Sequence, residues 1–300
     1  MICVEKNRNC YSAEISRNNP ALIGFLIDQS GSMAGEMAGS GGRLKQDICA
    51  EYIDSFFTRL LSTNSSGETL KDRFNIFVLG YGRDNPPSVE SALDGISIDE
   101  MPIGLERLKK SAKTDTREKK IVRKEPDNAG GFIEREKTLQ VTILKWITPI
   151  SDGITPMNEG FRSAFEITSK WIQDHPKSYP PIIINITDGQ FNTEDPEPIA
   201  REIMELHTDD GNVLLFNIHI TDESNGSNSL PSLFPDRKDF PPDPDAQKLF
   251  VMSSNLVTSM IQYARSKDKQ ISDNAVGFGF NADFSDFIDF LDIGTRPAAG

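Results

Sequence analysis

Four short runs of nearly continuous apolar residues punctuate the chain, at 22–27, 74–79, 182–187 and 213–220. Runs of this length without polar alternation fit strands that are covered on both faces. Between them, apolar residues recur with helical spacing. Residues 43–61 place Leu44, Ile48, Tyr52, Phe56 and Leu60 four apart, with Ile53 and Phe57 beside them. Residues 158–174 carry Phe161, Ala164, Phe165, Thr168 and Ile172 as an i, i+3, i+4, i+7 stripe. Further helices are predicted at 197–207, 254–266 and, shorter, 283–291. The alternation predicts an α/β fold: a three-layer, Rossmann-like arrangement with a central, mostly parallel sheet flanked by helices.

Two segments break the rhythm. Residues 82–150 are too long for a simple strand-to-helix connection. Within them, 107–125 hold nine basic and three acidic residues, and 138–146 is expected to be a strand returning to the core. Residues 221–244, rich in Ser, Asn, Asp and Pro, are expected to form a surface loop. No fixed-period repeat is present. The expectation is one enlarged domain spanning 13–297, with 82–150 and 221–244 as elaborations within it.

Composition narrows the classes. The chain of 300 residues has 32 basic and 45 acidic side chains, a net charge of −13. That favours solubility and disfavours general affinity for nucleic acid or anionic lipid. A hydrophobic content of 37% with 18 phenylalanines supports a substantial core. No apolar run is long enough for a membrane span, and the N-terminal residues lack the apolar segment of a signal peptide. Cys3, Cys10 and Cys49 are odd in number and contain no C-x-x-C pair. Neither a disulfide framework nor a zinc site is expected, and a reducing cytoplasm is the expected location.

The chemistry concentrates where strands end. Asp28-Gln29-Ser30-Gly31-Ser32-Met33 follows the first apolar run. A carboxylate and two hydroxyls at i, i+2 and i+4 are hard oxygen donors of the kind Mg²⁺ or Mn²⁺ prefers. Gly31 lets the backbone bend so that they converge. Thr155 sits just before the helix predicted from 158, with Pro156 fitting its first turn and Thr155 its N-cap. Asp188 lies just beyond the end of the 182–187 strand. In open parallel sheets, ligands bind outside the carboxyl ends of the strands, so Asp28, Thr155 and Asp188 could meet there. Capping and turn formation are the bland alternative for each.

These three segments resemble the metal-ion-dependent adhesion site of von Willebrand factor A domains. Asp28, Ser30 and Ser32 match that family's D-x-S-x-S, Thr155 its threonine loop, and Asp188 its strand-end aspartate, in the same order. Residues 13–20 (AEISRNNP), 180–189 (PPIIINITDG), 209–217 (DDGNVLLFN) and 290–297 (FLDIGTRP) are similar to bacterial stand-alone members. The two long segments depart from a minimal domain. The resemblance implies direct ligation of Mg²⁺ or Mn²⁺ by Ser30 and Ser32, and ligation by Thr155 directly or through water. Asp28 and Asp188 would act mostly through water. It further implies a protein partner whose Glu or Asp completes the ion's shell, and a binding role, not an enzymatic one, in a bacterial stress or signalling complex.

Competing readings are thinner. An aspartyl-nucleophile phosphatase usually has a second Asp at position 30, where this chain has Ser. A Ser-His-Asp hydrolase needs a nucleophile elbow; the histidines are His175, His207 and His219, and His219 fits a core strand. A metal-dependent hydrolase lacks a candidate base near the site. The glycines of 35–42 lack the G-K-[ST] ending of a phosphate loop and fit a mobile rim. The basic run 107–125 lacks interleaved aromatics, so a nucleic-acid role is disfavoured; it is expected to be solvated. Phe278, Phe280, Phe284, Phe287 and Phe290 fit packing of a C-terminal helix on the sheet.

Overall fold

The computed structural model describes residues 11–67, 69–82, 88–126, 132–191, 193–222, 232–239, 241, 243–280 and 284–295. Cys3, Cys10, the N-terminal segment and 223–231 of the predicted loop lie outside them. So do the tip of 82–150 and the Phe284 side chain.

The centre is an eight-stranded sheet. Strands Phe278–Phe280, Leu214–His219, Ile182–Thr187, Ala21–Asp28 and Phe74–Tyr81 run parallel in that spatial order. Ser232–Leu233 joins one edge antiparallel, and Val89–Ser91 and Ile103–Gly104 pair antiparallel with Phe74–Tyr81 at the other. All eight residues of Ala21–Asp28 are buried, as a strand covered on both faces requires.

Alternate residues of that strand feed two cores. Ile23, Phe25 and Ile27 pack with Ile53 and Phe57 of helix Lys45–Thr63 and with Phe287 and Phe290 of helix Phe284–Gly294. Leu22 and Leu26 face the opposite layer, with Phe161 and Ala164 of helix Met157–Asp174, Ile203 of helix Glu197–Glu205 and Phe250 of helix Pro244–Val251. Each such side chain contributes roughly 1.5–3 kcal/mol by leaving water, which outweighs the weak strand propensity of a glycine in this register. Gly24 is in fact required: a Cβ there would stand 2.0 Å from Cζ of Phe77. The molecule is thus a mixed α/β fold with a central, mostly parallel sheet between helical layers.

Three expectations need correction. Phe278 and Phe280, expected with Phe284, Phe287 and Phe290 to pack a C-terminal helix, lie instead in a strand of the sheet. The helix predicted from 254 starts at Thr258, because Ser254 is held to strand Leu214–His219 by its amide on the Leu215 carbonyl. A helix at Pro244–Val251 emerges from the end of the predicted loop, with the Asp243 carboxylate accepting from the Ala246 amide.

The strand expected at 138–146 is present and does return to the core: it lies within Phe132–Lys145 and leads into buried Trp146. Lys113–Pro126 and Phe132–Lys145 form a separate antiparallel hairpin, in register from Lys113 opposite Lys145 to Pro126 opposite Phe132. The basic run is therefore split between the end of helix Leu105–Ser111 and one hairpin strand. Its anchor is Trp146, fully buried, whose indole N–H donates to the Leu108 carbonyl at 2.7 Å. Among the described residues, no helix is long and apolar enough to cross a membrane.

Candidate metal centre

The carboxyl ends of the parallel strands carry the predicted site. Register puts Ile27 beside Ile186, so Asp28 and Thr187 arrive together at the sheet edge. Asp28 is buried, and both its oxygens are engaged. Oδ1 accepts from the Ser30 amide at 2.9 Å, and Oδ2 from the Thr187 hydroxyl at 2.6 Å. The first bond folds the chain back after the strand into the short 3-10 turn Gly31–Ala34. As a result the Ser30 and Ser32 hydroxyls stand 3.0 Å apart.

Gly82 makes room for this turn. Its φ is +131°, and a Cβ there would lie 2.4 Å from the Ser30 nitrogen. Neighbouring backbone locks the turn to the sheet and to the threonine loop. The Gln29 amide donates to the Tyr81 carbonyl, the Gly31 amide to Gly153 and the Asp152 amide to Gln29. Thr155 follows two residues after Gly153 and is buried. It is not the N-cap predicted for it. Helix Met157–Asp174 begins one residue later, with Pro156 at the cap and no side-chain capping bond.

Asp188 extends from the end of Ile182–Thr187. Its Oδ2 accepts from the Lys45 ammonium at 2.8 Å, while its Oδ1 is buried with no hydrogen-bond partner among the described residues. Lys45 is 1% exposed and also pairs with Asp222 at 2.5 Å. Burial works against its charge, but the carboxylates of Asp188 and Asp222 outweigh that and raise its pKa. Asp222 is held to the loop after the first strand by a bridge with Met37, and the Ala38 amide donates to Thr221. The glycine-rich rim 35–42 is therefore tied down along one side.

Burial, followed by the charge of Asp188, pushes the Asp28 carboxyl up to about 7, against hydrogen bonds from Ser30 and Thr187 that pull it down. His219 is buried, and burial lowers its pKa. Its Nε2 donates to the Asp188 carbonyl at 2.7 Å, since a carbonyl can only accept. This fixes the turn at Gly189, whose φ is +88°.

The donor set suits a small divalent cation. Hydroxyls and carboxylates are hard donors, and the orphaned Asp188 Oδ1 is an acceptor still needing a partner. Among the described residues, no group of three or more His, Cys, Asp and Glu is arranged to hold a metal ion; this set draws much of its oxygen from hydroxyls. Of the predicted residues, the backbone bonds link Asp28, Ser30 and Ser32 to the loop carrying Thr155, and Thr187 links Asp28 to the strand end of Asp188. Sequence reasoning missed Lys45, Thr187 and Asp222. Lys45 had a signal, because it stands three residues before Ile48 on the apolar stripe of its helix.

No known family profile matches the chain, and no curated protein is detectably similar to it. Among solved structures it is similar to an aerotolerance-related membrane protein from Bacteroides fragilis carrying multiple mutations to serine. That match has a TM-score of 0.35 and 11% identity, covering 70% of this chain and 76% of the other. The minor pilin PilB of Streptococcus sanguinis gives 0.31 and 14%, and the pilus adhesin RrgA of Streptococcus pneumoniae 0.29 and 14%. This chain covers only 30% and 21% of those two pilus proteins.

Proposed function

We propose that this chain is a metal-dependent protein-interaction module of the von Willebrand factor A type. In this reading Ser30, Ser32 and Thr155 supply hydroxyl ligands to Mg²⁺ or Mn²⁺, and Asp28 and Asp188 act mainly through water. The carrying observation is the turn after Asp28, where one carboxylate accepts from the Ser30 amide and the two serine hydroxyls converge at 3.0 Å. Neutral ligands leave a dication poorly neutralised. When bound, the ion supplies an open electrophilic position that a carboxylate from a partner protein fills. The chain's residues do the rest: the pinned turns hold the hydroxyls, and the buried sheet edge keeps the surroundings partly dry, which strengthens the attraction.

A binding role fits better than catalysis. The histidine nearest Asp188 is enclosed, with Nε2 committed to a backbone carbonyl, so it is badly placed to serve an incoming substrate. A cytoplasmic partner in a bacterial stress or signalling complex is part of the same proposal, and nucleic acid is not.

Partner capture from the native host tests this. It should require Mg²⁺ or Mn²⁺, reverse with EDTA, and weaken at least about tenfold in Asp188→Ala with the sheet still folded. A purified partner that binds equally well in EDTA would overturn the reading and move the interaction surface away from the strand ends.

A further inference from the structure

Lys45 is an unusual charge. It is 1% exposed, the first residue of helix Lys45–Thr63, and its ammonium sits between Asp188 at 2.8 Å and Asp222 at 2.5 Å. Lysine is seldom fully buried unless paired. The helix delivers it there by geometry. Lys45, Ile48, Cys49 and Tyr52 share one buried face, and the Lys45 amide donates to the Gly35 carbonyl, which locks the first turn of the helix to the loop after Ser32. The side chain therefore points from the helix start to the strand end carrying Asp188.

We propose that Lys45 is a built-in counter-cation that sets how weakly this site holds a divalent ion; the proposal rests on the metal-binding reading above. Two effects act in the same direction. The ammonium holds Oδ2 of Asp188 by a charge-assisted bond, which leaves Oδ1 as the oxygen free to face an ion or its water. Its positive charge also repels a dication in a region where water screens little. Without Lys45, the carboxylate of Asp188 would face an ion with its full negative charge, reinforced at longer range by Asp28 and Asp222. With Lys45 present, one of those charges is answered from within the chain. Asp222 belongs to the same balance: it shares the ammonium, and its bridge to Met37 ties the start of the 221–244 segment to the rim of the site.

A purely structural salt bridge makes the opposite prediction. If Lys45 only held Asp188 in place, removing it would loosen the site and weaken metal binding.

Mn²⁺ titration by calorimetry and by electron paramagnetic resonance, on the full chain, separates the two. Lys45→Met should bind Mn²⁺ about tenfold more tightly than wild type, and Lys45→Arg should stay close to wild type. The midpoint of thermal unfolding should fall in Lys45→Met in EDTA and recover with Mn²⁺, by a larger shift than wild type gains. Unchanged or weaker Mn²⁺ binding in a folded Lys45→Met overturns the proposal while leaving the metal site itself standing. If wild type binds no Mn²⁺, the metal reading and this proposal fall together. Should Lys45→Met fail to fold even with Mn²⁺, Asp222→Asn decides: it removes one negative charge, so Mn²⁺ binding should weaken about fivefold, and unaltered binding would overturn the proposal.

Discussion

At the residue scale, Asp54 is a carboxylate outside the candidate site with a measurable consequence. Its Oδ1 accepts from the Trp146 amide at 2.8 Å and the Ile147 amide at 3.2 Å. Burial pushes its pKa up to about 6, against those two bonds and Lys145. The folded state then binds this proton more tightly than the unfolded chain, whose carboxyl titrates near 3.8. The resulting stabilisation is fully present below that value and is lost as pH rises through about 6. Asp54→Asn keeps an acceptor for both amides and has no such dependence. Urea unfolding of both proteins should therefore show wild type losing about 2 kcal/mol relative to Asp54→Asn between pH 4 and pH 7. The shift of Asp28 is common to both and cancels. Parallel pH curves would contradict the assignment.

The same scale shows what a sequence can reveal about a site. Asp28, Ser30, Ser32, Thr155 and Asp188 stood out as candidates because oxygen-bearing side chains after apolar runs are conspicuous. Thr187 did not, since a threonine inside a strand carries no mark of the Asp28 oxygen it meets at 2.6 Å. Lys45 was obscured because a lysine near a helix start is ordinarily solvated; only its place on the apolar face hints otherwise.

At the element scale, four of the five parallel strands were readable to within two residues, because a strand covered on both faces must be apolar throughout; the short Phe278–Phe280 strand was not. The hairpin was readable in one strand only: Leu139, Val141 and Ile143 alternate with polar residues and are half-buried, whereas the residues opposite them, Lys119, Arg117 and Asp115, are all charged. Apart from Leu144, which packs against the core, it is held by main-chain pairing and by exposed ion pairs such as Arg117 with Glu51 and Lys145 with Asp115, which contribute little each. Hence the hairpin should be dispensable to the fold. Lys113 and Lys145 are directly opposed, so a short Gly-Ser turn can replace 114–144 while Trp146 keeps its bonds to Asp54 and Leu108. Thermal unfolding of that shortened chain should stay within about 4 °C of the full one. A fall of 15 °C or more would mean that the ribbon carries part of the core.

On the scale of the whole molecule, a chain with net charge −13 gathers Asp28, Asp188 and Asp222 at one edge of its sheet, with a single buried lysine between two of them. Lys45 answers part of that charge, and in the proposed reading the serine hydroxyls beside Asp28 are hard donors to a small divalent ion. The account as a whole depends on that ion. The most direct test is calorimetric titration of Mn²⁺ into wild type and into the double variant Ser30→Ala, Ser32→Ala, with circular dichroism to verify that both are folded. Wild type should bind one Mn²⁺ and the double variant none; equal binding by the two proteins would contradict the account.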